Sequence, residues 1–399
     1  MFFSVKTATY YQFLKGSYFD AVFDLIAGWP SSSSLTRLSI IQDPLPPPPA
    51  GRSAFAQPIV FFSLTPLTAL SLSPATQNIT HLRLRIPSRQ PVRFIISSKP
   101  EDIHTGKYPF PNTTVLDLST CALRNFSDLE SLLNFVGGGH LRHLLLDHTG
   151  LCDGVARNWE MLGRTCALAG VKRSRDYEKT LKTLRHAITA DTDNLEGTEE
   201  RLANIAQDRR VRPGRRGMAT ATISLRGERP TVPAASTSLP HPGSSEKASK
   251  IRICPSPPRL LSLCISLPGQ QHVAEEVRIR EASARTDFIR GWSEGVGQLR
   301  SIWTRLRQSQ SKGVKVCRFH VGGQNEGSED IPMHTGLVEM RGYHNDKLWE
   351  ELDTLQPPVL CFAGPRGEGF LDGHLEGDWS GHPNGCGHQI SWDVWNDNI

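Results

Sequence analysis

The segment Leu141–Leu151 most constrains how this chain can fold, because its sequence LRHLLLDHTGL follows the repeat pattern L-x-x-L-x-L-x-x-N/C-x-L. Thr149 stands where the pattern usually has Asn or Cys. The spaced leucines of such a unit point inward from one short strand, and one unit cannot bury its own apolar face. The segment therefore predicts stacked neighbours elsewhere in the chain.

The best such neighbour is Leu116–Leu123, which has Cys121 at the Asn/Cys position. A predicted helix over Leu129–Val136 and a glycine stop follow before the next strand, so that Leu116 to Leu144 makes one 28-residue period. Residues Leu260–Leu267 bring the strand pattern back later in the chain. We expect these three segments to be parallel strands of one sheet, with Leu146 and Leu263 in the same core.

Three earlier segments also match the strand core of the pattern: Leu35–Ile40, Leu67–Leu72 and Ile79–Leu84. The last two begin only twelve positions apart, which is too short for a full repeat of at least about 20 residues. They form either a hairpin or a strand with a loop excursion.

Other elements are predicted from their apolar periodicity. The pattern favours helices over Tyr18–Ala27 and Val273–Gln308, and strands over Val314–Phe319 and Val359–Phe362. Together these patterns predict an α/β fold, an irregular leucine-rich-repeat-like solenoid that carries a basic, partly disordered insertion. Its regions are the repeats (1–151), the insertion (152–258), the continued repeats with a long helix (259–363) and a Gly-rich tail (364–399).

The predicted insertion contains the densest positive patch of the chain. A basic amphipathic helix starts at Val171, and Pro230–Ser249 is rich in Ser, Pro and Ala. The arginines of the patch are Arg209, Arg210, Arg212, Arg215 and Arg216. They are interpreted as a nuclear-import or phosphate-binding patch, or as a solvated linker. Since no aromatic residues alternate with them, and the whole chain has 45 Lys+Arg against 40 Asp+Glu, a nucleic-acid partner is not expected.

Two glycine-rich stretches resemble catalytic or phosphate-binding motifs. Gly291–Gly295 matches the G-x-S-x-G nucleophile motif around Ser293, but that motif needs a strand before the serine, and both flanks here are predicted to be helical. Gly364–Gly369 lacks the Lys-Ser/Thr ending of a phosphate loop. We therefore expect no enzymatic activity and no cofactor.

The Gly-rich tail carries side chains of the kind that bind zinc: His374, His382, Cys386 and His388. Their spacing fits no named pattern, and histidines in a polar tail are usually solvated, so no metal site is expected. The eight cysteines are scattered without a C-x-x-C pair and are predicted to be reduced, largely buried thiols.

The amino-terminal residues Met1–Tyr11 lack the continuous apolar core of a secretory leader, and no stretch approaches the roughly 18 apolar residues of a membrane span. Three N-x-S/T patterns, at Asn78, Asn112 and Asn125, are therefore interpreted as chance. The expected location is intracellular, in the cytoplasm or the nucleus, with no membrane partner.

Five features together resemble fungal F-box-like leucine-rich-repeat proteins of the basidiomycete type. They are the repeats Leu116–Leu123 and Leu141–Leu151, the basic helix start Gly170–Arg173, the run 215–226 (RRGMATATISLR) and the helix with Gly291–Gly295. The resemblance implies a substrate receptor of a cullin-type ubiquitin ligase, in which an amino-terminal F-box binds the ligase adaptor and the repeats hold the target.

This chain departs from that family at its amino terminus, because only one short helix is predicted before Leu35 and no F-box helices are visible. An adaptor is therefore expected as a partner only if an F-box lies upstream. The predicted function is a protein–protein interaction module related to the target-binding repeats of F-box receptors. The alternative is a nuclear interaction protein that acts through Arg209–Arg216.

Overall fold

The computed structural model of the chain describes the following residues: 2–5, 18–30, 34–42, 64–87, 89–96, 108–123, 125–151, 158–184, 250–267, 274–319, 337–340, 350–363 and 382–396. It divides into two compact units, one made of Met1–Glu178 with Ile251–Ile399 and the other of Lys179–Lys250. All the elements described below belong to the first unit, apart from the end of a helical segment that runs on to residue 184. The patch Arg209–Arg216 lies outside the described residues.

The first unit is built on a parallel β-sheet with helices, so the fold is mixed α/β as expected. Its strands lie in the order in which the chain makes them, and the three strands missing from this series belong to a second sheet. They are β1 (Phe2–Val5), β2 (Arg37–Gln42), β3 (His81–Arg85), β4 (Val115–Asp117), β5 (His143–Leu146), β7 (Ser262–Ser266) and β10 (Val359–Ala363). Each adjacent pair is parallel.

The strand register aligns one leucine from each of six strands. The aligned residues are Leu38, Leu82, Leu116, Leu144, Leu263 and Leu360. All of them belong to one core cluster and are 6% exposed or less, and Leu146 lies in the same cluster as Leu263. The expectation that β4, β5 and β7 are parallel strands over a common core is therefore confirmed.

The turns that enter the strands repeat the same hydrogen bond from one unit to the next. The amides of Thr80, Thr114 and Arg142 each donate to the carbonyl at the same register position of the preceding unit, at 2.8 Å. The amide of Leu261 continues this series at 2.7 Å. At the next register position Pro358 has no N–H, and the Val359 amide donates instead to the Leu261 carbonyl at 2.8 Å. The units are therefore stacked in register although the chain length between them varies.

Cys121 and Thr149 occupy the Asn/Cys position of the pattern and bind backbone groups there. The Cys121 thiol lies 3.1 Å from the Leu84 carbonyl and 3.5 Å from the Ile86 amide of the preceding unit. Thr149 donates its hydroxyl hydrogen to the Leu146 carbonyl at 2.9 Å. Burial raises the pKa of Cys121 to about 12, so this thiol stays neutral and serves as a donor.

Helices cover the leucine side of the sheet. They are α1 (Tyr18–Ala27), α2 (Thr65–Ser71), α3 (Pro91–Ile95), α4 (Phe126–Phe135), α5 (Asn158–Ala167) and α6 (Ala274–Gln310). The predicted helices over Tyr18–Ala27 and Val273–Gln308 are confirmed. Residues 171–184, where a basic helix was expected, are also helical.

The strand predicted over Leu67–Leu72 is wrong, because this segment forms α2 and its first turn contains Pro66. Proline fits the first turn of a helix, where its missing N–H leaves no hydrogen bond unmade. Leu67 and Leu70, three positions apart, both point into the core, which a helix allows and a regular strand does not. The strand predicted at Ile79–Leu84 is confirmed as β3.

The two helices α5 and α6 cross so closely that glycine is required at the crossing. A Cβ at Gly163 would lie 2.0 Å from the Phe288 carbonyl oxygen, and one at Gly291 would lie 1.8 Å from the Glu160 carbonyl oxygen. Ser293 lies on the exposed side of α6. The G-x-S-x-G pattern is thus part of a helix crossing, and the helical flanks predicted for it are confirmed.

A second, smaller sheet contains β6 (Ile251–Cys254), β8 (Lys315–Phe319) and β9 (Leu337–Glu339), with β8 in the middle. The Glu178 carboxylate accepts hydrogen bonds from the Ile253 amide at 2.8 Å and from the Arg252 guanidinium at 2.9 Å. Glu178, the last residue of the stretch Met1–Glu178, therefore binds the beginning of the stretch Ile251–Ile399.

The face of the main sheet opposite the leucines is covered by a carboxy-terminal helix, α7 (Gly387–Asn396). Residues on this outward face, in register across β2 to β10, are Ser39, Arg83, Asp117, Leu145, Cys264 and Cys361. The Arg83 guanidinium lies 4.6 Å from the ring centre of Trp395, which is 2% exposed. The Gly-rich tail therefore ends in a helix that packs on the sheet.

We predict that Gly163→Ala lowers the free energy of unfolding by about 2 kcal/mol, because its methyl group would push α5 away from α6. Gly297→Ala, on α6, provides the control, since a Cβ at that position would meet no atom within 4 Å. That change should stabilise the protein by about 0.5 to 1 kcal/mol through helix propensity. Urea unfolding followed by circular dichroism measures both, and an equal effect of the two substitutions would contradict the crossing.

Candidate functional site

Four side chains with metal-binding atoms meet where α7 begins on the outward face of the sheet. Cys361 comes from β10, where its neighbours Leu360 and Phe362 point into the core on the other face. His382 and Cys386 precede α7, and His388 lies in its first turn. The cluster therefore joins the last strand of the sheet to the helix that covers it.

The donor atoms of this cluster lie close together. His382 Nδ1 is 3.1 Å from Cys361 Sγ and 3.7 Å from Cys386 Sγ, while His388 Nδ1 is 3.2 Å from Cys361 Sγ. All four atoms lie within 4.8 Å of one another. Three of the residues are buried, and His382 is half-buried. Thiolate and imidazole groups in this number and arrangement can hold one metal ion.

The surroundings fix the orientation of His388. Its second ring nitrogen, Nε2, lies 2.8 Å from Asp147 Oδ2, in the turn that follows β5. A Cβ on the adjacent Gly387 would lie 2.9 Å from Cys264 Sγ and 3.0 Å from Ser262 Oγ, so glycine lets the helix start against the sheet. The His388 imidazole is thus held with Nδ1 toward Cys361.

The thiols and imidazoles of the cluster shift one another's pKa values. A hydrogen bond with Cys264 raises the pKa of Cys361, and one with Cys361 raises that of Cys386. Burial opposes a charge on His388, but Cys264 and Asp147 nevertheless raise the pKa of its imidazole well above the ordinary value. Without a metal, the cluster is a connected network of hydrogen bonds between thiols, imidazoles and a carboxylate.

The structure brings together three of the four tail residues singled out in the sequence, His382, Cys386 and His388. His374 lies outside the described residues. Cys361 was missed because it is a single cysteine inside an apolar strand, 21 positions before His382. The signal that could have found it is the period-two alternation of β10, which puts Cys361 on the opposite face from Leu360 and Phe362.

A second candidate site is an open pocket of about 240 Å³ near the first residues of β3, β4 and β5 on the same outward face. Its basic lining residues are His81, His140, Arg142, His143 and Arg259, and Ile390 of α7 forms part of its wall. Within the part of the chain that the structure describes, no carboxylate pairs with Arg142 or Arg259. The pocket could not be predicted from the sequence because its lining residues come from five separate segments.

The positive charge of the pocket contributes to lowering the pKa of its histidines. Burial, Arg142 and His81 lower the pKa of His143 to about 4, and its ring bonds the Ser262 hydroxyl at 2.8 Å. Burial and the nearby guanidiniums of Arg259, Arg173 and Arg142 also lower the pKa of His140. Burial is the larger cause for both histidines, and the nearby guanidiniums add a positive potential that favours a bound negative charge.

The chain matches no protein-family model, no curated protein and no solved structure. Among the described helices, none combines the length and the apolar character that crossing a membrane requires.

We predict that the protein loses stability as the pH falls from about 6.5 to about 4, partly because of His143. The unfolded chain binds a proton at His143 near pH 6.5, whereas the folded chain binds it only near pH 4, so acid favours unfolding across this window. The substitution His143→Gln keeps a hydrogen-bonding group toward Ser262 and should reduce the loss. Urea unfolding at pH 7, 5.5 and 4.5 measures it, and an unchanged pH dependence in the variant would contradict the assignment.

Proposed function

We propose that this chain is a protein-binding module with a leucine-rich-repeat-like scaffold, and that it binds an acidic group of its partner in the pocket around Arg142 and Arg259. The single observation that carries the proposal is this pair of guanidiniums without carboxylate partners among the described residues, in an open pocket of the outward sheet face.

The scaffold part of the proposal is supported by the stacking of the units. Strands of one sheet follow one another in chain order, the inward leucines are aligned, and the turns entering β3, β4, β5 and β7 repeat the same backbone hydrogen bond. Cys121 binds the backbone of the preceding unit, as the polar residue of the pattern is expected to do. Repeat proteins of this kind present extended surfaces to other proteins.

The chemistry of the pocket favours an acidic side chain over a larger ligand. Its volume of about 240 Å³ lies below the roughly 300 to 1,000 Å³ that enclose most small-molecule ligands. A carboxylate can accept two parallel hydrogen bonds from one guanidinium, and Arg142 and Arg259 offer two such groups. The side chains of Asp or Glu on a partner protein have the required size and charge.

The resemblance to F-box receptors gives this proposal a more specific form, in which the partner is a protein targeted for ubiquitination. In that form the adaptor of the ligase should co-purify with a natural gene product that includes F-box helices. If the target is recovered without any adaptor, the proposal of a protein-binding module stands and the proposed role in a ubiquitin ligase is refuted.

The alternative of a nuclear interaction protein rests on the arginine density of Arg209–Arg216 in the sequence. It predicts that changing these arginines to alanine abolishes nuclear accumulation of a fluorescent fusion. Unchanged localisation would exclude it, and neither result affects the pocket proposal.

For the main proposal, we expect the double substitution Arg142→Glu and Arg259→Glu to weaken binding of the partner about 10- to 100-fold, because two attractive charges become repulsive. Partners are first identified by proximity labelling in cells and then measured with purified proteins. The affinity should also fall as salt is raised, since screening weakens the attraction between exposed charges.

The matched control is Arg278→Glu, which reverses an exposed arginine on α6 outside the pocket and should leave the affinity unchanged. Circular dichroism and the unfolding midpoint show whether the double variant is folded. A folded double variant that retains full affinity would refute the pocket as the binding site.

A further inference from the structure

We propose that Cys361, His382, Cys386 and His388 bind one structural zinc ion, which fastens α7 to the outward face of the sheet. The proposal is independent of the proposed function. It rests on the geometry of the four donor atoms, on the burial of the cluster and on the contact that orients His388.

The distances fit a tetrahedral zinc ion. Zinc lies about 2.3 Å from thiolate sulfur and about 2.0 Å from imidazole nitrogen, so that a sulfur and a nitrogen of one tetrahedron are about 3.5 Å apart. Three of the four sulfur–nitrogen distances in the cluster are 3.1, 3.2 and 3.7 Å, and no two of the four donor atoms are more than 4.8 Å apart. The atoms of these three pairs therefore need to move only by fractions of an ångström to surround an ion.

The chemical types of the four ligands indicate which metal the cluster prefers and whether it is structural or catalytic. Two thiolates and two imidazoles in a tetrahedral arrangement favour zinc over the harder ions calcium and magnesium, which prefer oxygen ligands. Four protein ligands leave no position for water or substrate, as in structural zinc sites. The Cys361 side chain is 1% exposed and that of Cys386 is fully buried, so the ion would be enclosed by protein.

Asp147 supports the assignment from outside the ligand set. Zinc-binding histidines usually donate their second ring N–H to a carboxylate or a carbonyl group, which fixes the ring and raises its basicity. His388 has this arrangement, with Nδ1 toward the cluster and Nε2 at 2.8 Å from the Asp147 carboxylate. Asp147 comes from the turn after β5, so the site connects three parts of the fold.

The consequence for the fold is that α7 is held at its first turn. His382 and Cys386 precede this helix and His388 lies in its first turn. The metal would tie all three to Cys361 of β10. Farther along α7, the Val394 carbonyl accepts a hydrogen bond from Arg37 at 2.8 Å. The helix is thus bound to the sheet near both of its ends.

The proposal is tested on the full chain, purified under reducing conditions, stripped with a chelator and then equilibrated with zinc chloride alone. Elemental analysis by mass spectrometry should find one tightly bound zinc per chain. Replacement by cobalt should give the absorption of thiolate-to-cobalt charge transfer and of tetrahedral cobalt, and X-ray absorption should show two sulfur and two nitrogen neighbours.

Variants locate the site within the chain. We expect Cys361→Ser and Cys386→Ser to lose the stoichiometric zinc, and Asp147→Asn to bind it about 10- to 100-fold more weakly in competition with a coloured chelator. Cys317→Ser, in the smaller sheet, is the control and should bind zinc as the wild type does.

Two results would overturn the proposal. One is a wild-type chain that takes up no zinc, or whose bound cobalt shows no thiolate absorption. The other is Cys361→Ser and Cys386→Ser variants that bind zinc as tightly as the wild type. Because the first test uses only the wild type, the proposal can be refuted even if a cysteine variant fails to fold.

Discussion

Parallel pairing between successive strands is the interaction on which the rest of this structure depends. Because side chains alternate along a strand, one register sets both faces of the sheet at once. On one face it aligns Leu38 through Leu360 into a continuous apolar core, and on the other it aligns Ser39 through Cys361. A slip of one residue in β10 would turn Cys361 toward the leucine core and Leu360 toward α7. The core and the cysteine–histidine cluster are therefore products of the same hydrogen bonds.

Much of the scaffold could be predicted from the sequence, because the inward leucines recur at fixed positions within each strand and the chain between them is helical. The strands β4, β5 and β7 were expected as parallel neighbours although a long segment separates Leu146 from Leu263. The prediction failed at Leu67–Leu72, where Leu70 and Leu72 alternate as in a strand but Leu67 and Leu70 have the spacing of one helix face. Pro66 decides in favour of the helix, because proline is well placed in a first helical turn.

The candidate sites were much less accessible to sequence reasoning, and the reason is physical. The donor set of the cysteine–histidine cluster is completed by Cys361, whose position in an apolar strand gives no local indication of a ligand. The basic pocket combines residues of five segments, and nothing in the composition of any one of them reveals that Arg142 and Arg259 share a cavity. Patterns in a sequence report which face of an element is apolar, whereas a site depends on which polar groups the fold brings to one place.

The contact between Glu178 and the start of β6 has a consequence for how the chain can vary. It holds the two ends of segment 179–250 next to each other, with the Glu178 carboxylate on the Ile253 amide at 2.8 Å. The entropic cost of joining two such ends grows only slowly with the number of residues between them. We therefore expect that the number of residues between Glu178 and Ile251 can vary without changing the strand order of the main sheet.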